Sequence, residues 1–361
     1  MNRNNKVIQV IPNLGLAGAE TMLANLTIEL SNDGFDVSVV SLYNEQSSIT
    51  DKLETQDIPL YYLNKKKGLD LRMIYRLYKL FIKEKPDVIH THRYSMQYAI
   101  PASILAGVPI KIHTVHNIAT KEVSNSQRKL YYLFYKYLNV IPVSISPLVK
   151  ESILKEYKIP SDKVPMIYNG IDLNKCITKF GYSTNGDNIT ILHVGRFSEQ
   201  KNHIGLIESF KLVHDKYPNT ILQLIGDGDL IDQIKNKVIE LKIEANVEFL
   251  GLQADVYPFL NNADIFVLPS LWEGMPITLI EAMATGLPIV ATSVGGVSDM
   301  IKDEANGLLV ETNNKQISEA LLKLINNEVL REKIGKAARD SSKQFSAEIM
   351  AKKYEELYNK R

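Results

Sequence analysis

Two glutamates with seven residues between them, Glu273 and Glu281, stand in the run SLWEGMPITLIEAMATGLPIVA at residues 270–291. Gly274 and Pro276 mark a loop that opens a helix, because Gly permits unusual backbone angles and Pro suits a first helical turn. One carboxylate therefore sits in the loop and the other inside the helix. Between them lie free backbone N–H groups at the positive end of a helix dipole, which is an anion site. Two hydrogen-bond acceptors flanking a phosphate-sized anion site suit a ligand with both hydroxyls and phosphate, such as a nucleotide-sugar. The plainer alternative is a helix start with two ordinary surface glutamates.

Further cations follow another strand-like run. Ile189–Val194 leads into Gly195-Arg196-Phe197, with Lys201-Asn202 just beyond. Arg grips phosphate oxygens bidentately and Lys acts as a compact point charge. Near the N-terminus, Val7–Pro12 leads to NLGLAGAE at residues 13–20 and then a helical pattern. Glycines at a strand-to-helix turn let backbone approach a diphosphate. The spacing is not G-x-G-x-x-G, and no acidic residue near position 42 would hold a ribose, so a dinucleotide oxidoreductase is disfavoured.

His90, His92, His113 and His116 cluster at strand ends. No Cys or carboxylate lies at ligand spacing beside His90-Thr91-His92, which argues against a metal. His116, followed by Asn117, is placed to touch a sugar hydroxyl, with a structurally satisfied His as the rival. Asp227-Gly228-Asp229 has the look of a D-x-D metal motif. A tight turn at Gly226 and Gly228, with Asp229 capping the next helix, is the simpler reading.

Short apolar runs alternating with amphipathic stretches must position these groups. Strands are expected near Val7–Pro12, Val37–Leu42, Val88–His90, Lys111–Val115, Val140–Val143 and Val164–Tyr168. Helices fall between them, among them Ala19–Ser31, Leu69–Lys83, Gln97–Ala106, Gln127–Leu138 and Pro147–Tyr157. The pattern restarts after Asn185-Gly186, with strands at Ile189–Val194, Ile221–Ile225, Val247–Leu250, Ile265–Leu268, Ile289–Ala291 and Leu308–Val310. Alternation of this kind predicts an α/β fold of two facing doubly wound domains, joined by the polar stretch Asn169–Gly186. Their ligand is expected in the cleft between them, outside the carboxyl ends of the strands.

Length and composition agree: 361 residues, 45% hydrophobic and 23% charged, suit two soluble globular domains. No run of 18 apolar residues suggests a membrane span. The polar MNRNNK enters a strand rather than a signal peptide. The single Cys176 excludes internal disulfides, fits a reducing cytosol and reads as inert. Net charge is +1 but uneven: residues 1–170 carry 21 Lys+Arg against 15 Asp+Glu, and residues 171–361 carry 21 against 26. The halves should therefore meet different partners.

Taken together, AGAE, HTVHN, PVSISP, NGID at Asn169–Asp172, GRFSEQKN, IGDGD, EGMPITLIEAMATGLPIVAT, the Gly pair 295–296 and NGLLV at 306–310 resemble a retaining glycosyltransferase of family 4 with the GT-B fold. The likeness covers essentially the full length, and the double-Glu segment is its most specific part. It implies that residues 1–170, with a returning C-terminal helix at about 345–361, form an acceptor-binding domain. Residues 171–344 would bind the nucleotide-sugar donor, by default a UDP-sugar. It further implies that Glu281 holds the ribose, that Glu273 contacts the donor sugar, and that Arg196 and Lys201 neutralise the diphosphate. The N–H groups of Ile277 and Thr278 would join them, with Gly195 in the same loop set. Gly18 would approach the phosphates, and His116 would touch the transferred sugar. No divalent metal or other cofactor is expected. The family's GGAE is AGAE here, with Ala17 in place of the first Gly. Its His-Asp is His116-Asn117, and Ser298-Asp299 stand where Pro-Glu often follows the double Gly.

The reaction implied is front-face substitution with retained anomeric configuration, the departing phosphate taking the acceptor's proton. Lys65, Lys66, Lys67, Arg72, Arg76, Lys79, Lys83 and Lys85 interleave with Leu69, Met73, Leu77, Leu80 and Phe81. Such a basic amphipathic helix can lie on an anionic bilayer, the alternative being a core-facing helix with a solvated basic face. A glycan or polyprenyl-diphosphate-linked acceptor at the cytoplasmic face of the membrane fits the first. Near-neutral overall charge argues against nucleic acid. The alternatives are a non-catalytic homologue that stabilises a partner transferase, and a transferase acting on a soluble small molecule.

Overall fold

The computed structural model describes residues 5–179, 181–182 and 189–359. The start of MNRNNK and the Asn185-Gly186 end of the expected linker lie outside the described residues. The chain divides into two units, Met1–Ile171 with Phe345–Arg361, and Asp172–Gln344.

Unit one holds β1 (Lys6–Ile11), β2 (Asp36–Ser41), β3 (Leu60–Tyr62), β4 (Val88–His92), β5 (Ile110–Val115) and β6 (Val140–Ser144). All pair in parallel, in the order β3-β2-β1-β4-β5-β6. Unit two holds β7 (Ile189–Val194), β8 (Thr220–Ile225), β9 (Val247–Gly251), β10 (Ile265–Leu268), β11 (Ile289–Thr292) and β12 (Leu308–Val310). Its order, β12-β11-β10-β7-β8-β9, repeats the first sheet's. Both are the doubly wound Rossmann-type arrangement, whose strand order reverses at one point: between β1 and β4, and between β7 and β10.

Near-continuous apolar strands such as KVIQVI and ITILHV follow from helices covering both faces of each sheet. Unit two packs Leu206, Phe210 and Val213 of the helix His203–His214 with Leu321 and Leu324 of Asn314–Ile325 over β7, β8 and β10. In unit one, Met73, Leu77 and Phe81 of the helix Arg72–Glu84 cover Ile8, Val10 and Ile89.

The C-terminal helix Ala347–Tyr358 belongs to unit one. Its Tyr358 hydroxyl lies 2.8 Å from His90 Nδ1, and its Tyr354 hydroxyl 2.7 Å from Thr114 Oγ1.

Three local expectations fail. Val164–Tyr168 is not a strand; only Met166 bridges to Ser144 at the end of β6. Pro165 offers a carbonyl to Ser144 but has no N–H to extend the ladder. Helices Ser48–Glu54 and Glu328–Ser342, and the three-residue β3, are additional. Asp229 does not cap its helix: Ile231–Glu240 starts at Leu230 with no side-chain cap.

Candidate active site

In unit two, the loops after β7 and β10 leave adjacent strands at the point where the order reverses. Lys201 closes a short helical turn, Glu199–Lys201, after the first loop; Glu273 stands in the second. Lys201 Nζ lies 2.6 Å from Glu273 Oε1. Ser270 Oγ donates to that oxygen at 2.7 Å, and Gln200 Nε2 donates to Glu273 Oε2 at 3.3 Å. The two side chains are 15% and 5% exposed, so the pair is largely desolvated. Arg196, by contrast, is exposed and forms no ion pair among the described residues.

The loop backbones are held by close glycine contacts. Gly295, at φ 55°, sits where a Cβ would come within 1.9 Å of the Glu273 carbonyl oxygen. Gly226, at φ 140°, presses in the same way on the Gly195 carbonyl at 2.1 Å. The IGDGD segment thus supports the Gly195–Phe197 loop, with Gly195 N–H donating to Ile225 and Phe197 N–H to Asp227. Asp227 Oδ1 accepts from Gly228 N–H at 2.7 Å, a local turn bond.

The helix Ile277–Thr285 begins at Pro276 with no side-chain cap. The buried Thr278 Oγ1 has no hydrogen-bond partner among the described residues. The helix start therefore leaves its first N–H groups without a side-chain partner, with Glu273, paired to Lys201, in the loop that leads into it. Glu281, one turn further and buried, lies close enough to Tyr257 and Cys176 to raise both. Burial is the larger cause, and it pushes the Cys176 thiol up to about 12. That thiol is inert, as expected.

Unit one gathers its polar groups where β4 and β5 end. His90 is satisfied at both ring nitrogens, by Tyr358 and by Thr114 at 2.7 Å, and is a structural residue. His92 Nδ1 lies 2.9 Å from His116 Nε2. Burial, with like charges nearby, holds His92 well below the ordinary imidazole range and brings His116 to about 3. Both are neutral. Gly18 is the exposed first residue of the helix Gly18–Asn32, which also has no side-chain cap.

Three residues here escaped the sequence reading. Arg93, at φ 53°, donates to Glu20 Oε1 at 2.8 Å, and Glu20 is 1% exposed. Glu122 is pushed up to about 7 by burial, against backbone N–H donation from His116 and Asn117 and the charge of Arg93. Glu20 lay in the AGAE motif and Arg93 beside the HTH triplet, so both had a signal. Glu122, in TKEV, had none.

Comparison with known proteins agrees with this architecture. Residues 16–175 match the model for Glycosyltransferase Family 4, and residues 176–341 that for Glycosyl transferases group 1. A UDP-Gal:alpha-D-GlcNAc-diphosphoundecaprenol alpha-1,3-galactosyltransferase of Escherichia coli is 32% identical over 329 residues, 83% of each chain. The capsular polysaccharide biosynthesis glycosyltransferase CapM of Staphylococcus aureus is 31% identical over 309 residues, 80% of this chain and 81% of its own. Among solved structures, Anabaena HepE in complex with UDP and glucose superposes with a TM-score of 0.87 at 18% identity, covering 98% of this chain and 99% of that one. With both halves matched and the relatives spanning most of their own length, the chain belongs to the family 4 glycosyltransferases of GT-B fold.

Proposed function

We propose that the protein transfers a sugar from a UDP-sugar to a lipid-linked or glycan acceptor in polysaccharide assembly, with retained anomeric configuration and without a divalent metal. The observation that carries this reading is the uncapped Ile277–Thr285 helix start, its orphan Thr278 hydroxyl and the adjacent Lys201–Glu273 pair. In this reading the helix N–H groups of Ile277 and Thr278, with Arg196 and Lys201, take the diphosphate, and Glu281 takes the ribose. Glu273 faces sugar hydroxyls. Gly195 and Gly18 admit phosphate close to backbone, and His116 touches the transferred sugar.

As the bond between anomeric carbon and phosphate oxygen breaks, negative charge builds on the diphosphate. Preorganised donors aimed there lower the barrier. The acceptor hydroxyl attacks the same face, and its proton passes to the leaving phosphate oxygen. Among the described residues no group of three His, Cys, Asp or Glu stands at metal-binding distance, and metal-independence is left to experiment. Unchanged turnover in EDTA is the expected result.

Two features of unit one support a membrane-borne acceptor. A cavity of about 450 Å³ is lined by Lys65, Tyr43, Tyr94, Gln97, Ser124 and Gln127. Lys65 Nζ contacts the Tyr43 hydroxyl at 3.1 Å and the Lys66 carbonyl at 2.9 Å. Such a lining suits a polyhydroxylated, phosphorylated group. Nearby, Met73, Leu77 and Phe81 of the basic helix are core, as the core-facing alternative requires. Yet Leu69, Leu71, Tyr75 and Ile82 remain exposed among Lys66, Lys67, Arg72, Arg76, Lys79 and Lys83. That mixture suits an anionic bilayer at the cytoplasmic face. No described helix is long and apolar enough to cross a membrane.

The reading is tested by thermal-shift titration with UDP, GDP and ADP beside Glu281→Ala. Stabilisation by UDP, lost in the variant, is expected by mass action. No shift with any of the three would overturn it. Flotation with anionic vesicles tests the acceptor side: absence of binding would favour a soluble acceptor.

A further inference from the structure

His116 stands at the end of a hydrogen-bonded chain whose polarity can be read outward from a helix carbonyl. Thr27 Oγ1 donates to Leu23 O at 2.8 Å. Toward Gln9 the same oxygen therefore accepts, and Gln9 Nε2 donates to it at 2.7 Å. This bond decides which way the Gln9 amide faces, and turns Oε1 to His92 Nε2 at 3.0 Å. A carbonyl oxygen only accepts, so His92 carries its proton on Nε2.

A neutral imidazole has one N–H, which leaves a lone pair on His92 Nδ1. His116 Nε2, 2.9 Å away, must then donate. What remains on His116 is Nδ1, a bare acceptor with no hydrogen bond among the described residues. Thr27, Gln9 and His92 are fully buried, so no water competes along the chain. His116 itself is only half-buried.

We propose that Thr27, Gln9 and His92 are positioning residues that hold His116 in its Nε2–H form, so that Nδ1 accepts a hydrogen bond from a ligand hydroxyl and disfavours a ligand carboxylate or phosphate oxygen there. The inference rests on the reading above in which His116 touches the transferred sugar. It adds a specificity: at that place the sugar carries a free hydroxyl, as in a hexose, rather than the carboxylate of a uronic acid. Burial, with like charges nearby, lowers both imidazoles below the ordinary range, which favours a neutral His116 over a second phosphate cation.

The test uses the whole protein with ¹⁵N-labelled histidine, and reads the tautomer from long-range ¹H–¹⁵N correlations. The His116 signals are identified by their loss in His116→Gln. Wild type is expected to show a protonated Nε2 and a bare Nδ1, and Thr27→Ser, which keeps the hydroxyl, to match it. Thr27→Val keeps the shape but frees the Gln9 amide to turn, and Gln9→Leu removes the acceptor. Both should give mixed tautomers at His116 and lower kcat by about tenfold or more, the scale on which outer partners of metal-bound histidines act. Hexose donors should be used in preference to uronic acid donors, and that preference should shrink in Thr27→Val. A wild-type His116 protonated on Nδ1, or one tautomer kept in both variants, would overturn the proposal. The spectrum is read without substrate, so its failure is distinct from failure of the transferase reading, which UDP binding decides.

Discussion

Replacing Lys201 by Met tests whether the candidate site is held by its own charges. At 2.6 Å, with an effective dielectric constant near 20, the gross attraction between Lys201 and Glu273 is about 6 kcal/mol. Desolvation of two mostly buried ions offsets much of this. Removing the cation alone leaves the Glu273 carboxylate buried with, among the described residues, only Ser270 and Gln200 as side-chain donors. The expected loss is about 3 kcal/mol, at the lower end for a broken buried pair because Lys201 is partly solvated. Glu273→Gln keeps an acceptor for Ser270 and removes the charge, so it should cost only about 1 kcal/mol. In the double variant the two losses should not add, leaving a coupling of about 2 kcal/mol. Urea unfolding followed through the fluorescence of Trp272, the one tryptophan, reports the loop that carries Glu273. A Lys201→Met loss below about 1 kcal/mol, or additivity within about 0.5 kcal/mol, would refute the argument. Lys201 would then have a folding role beside its place in the candidate site.

Other variants separate backbone, charge and protonation. Gly295→Ala should cost about 3 kcal/mol or more and abolish UDP stabilisation in a thermal-shift assay, because its Cβ would collide with the Glu273 carbonyl at a positive φ. Arg196→Gln should leave the melting temperature unchanged, since the side chain is exposed, and lower kcat/KM by about 10²-fold in a transfer assay. Glu122 titrates near 7 when folded and near 4.5 when unfolded, so the folded state holds the extra proton between those values. Its contribution is present at low pH and lost as pH rises through 7, about 3 kcal/mol in all. Glu122→Gln should therefore be more stable than wild type at pH 8 and similar at pH 4.5, as measured by urea midpoints. The buried histidines act with the opposite sign: their folded values lie below 6.5, so stability falls as pH drops below 6.5 and the unfolded chain takes up protons. Replacing His90 with Gln should flatten that acid limb.

What was legible in the sequence follows from what periodicity and punctuation encode. The long apolar strands and the Gly–Pro loop before Ile277 announce themselves because parallel sheets bury both faces and helix starts favour particular residues. Leu60–Tyr62 is too short for any alternation to register, and it forms because Val39 and Ser41 of β2 offer an edge. Helix Glu328–Ser342 hides because its core residue Arg331, 3% exposed, resembles a surface cation. Its guanidinium is spent on the carbonyls of Tyr182, Leu324 and Ile325, which no local pattern foretells. The Lys201–Glu273 contact joins residues 72 apart, and each was visible only as a separate charge.

Two sheets with the same strand order place unlike chemistry at the carboxyl ends of their strands. In unit two the loops after β7 and β10 present Lys201 paired with Glu273, an exposed Arg196 and an uncapped helix start, the groups that the proposed reading assigns to a diphosphate. In unit one the ends of β4 and β5 present His92 and His116, both neutral, and an Arg93 already engaged with Glu20. Equal strand order therefore does not make equivalent sites. A charge left near water keeps its field available to a ligand. An imidazole sunk against Gln9 loses its charge and retains only direction, the donor or acceptor character its neighbours impose. Phosphate binding needs the first kind of group, and discrimination among sugar hydroxyls needs the second. A Gln9→Glu change would put a carboxylate beside His92 and convert the second kind into the first. His92 would then be held as imidazolium, with a proton on Nδ1 as well as Nε2, forcing His116 Nε2 to accept and its proton onto Nδ1. The variant should gain affinity for anions at His116 while losing kcat with hexose donors; a variant that gained neither the imidazolium signal nor the anion affinity would show that the chain's polarity is set elsewhere.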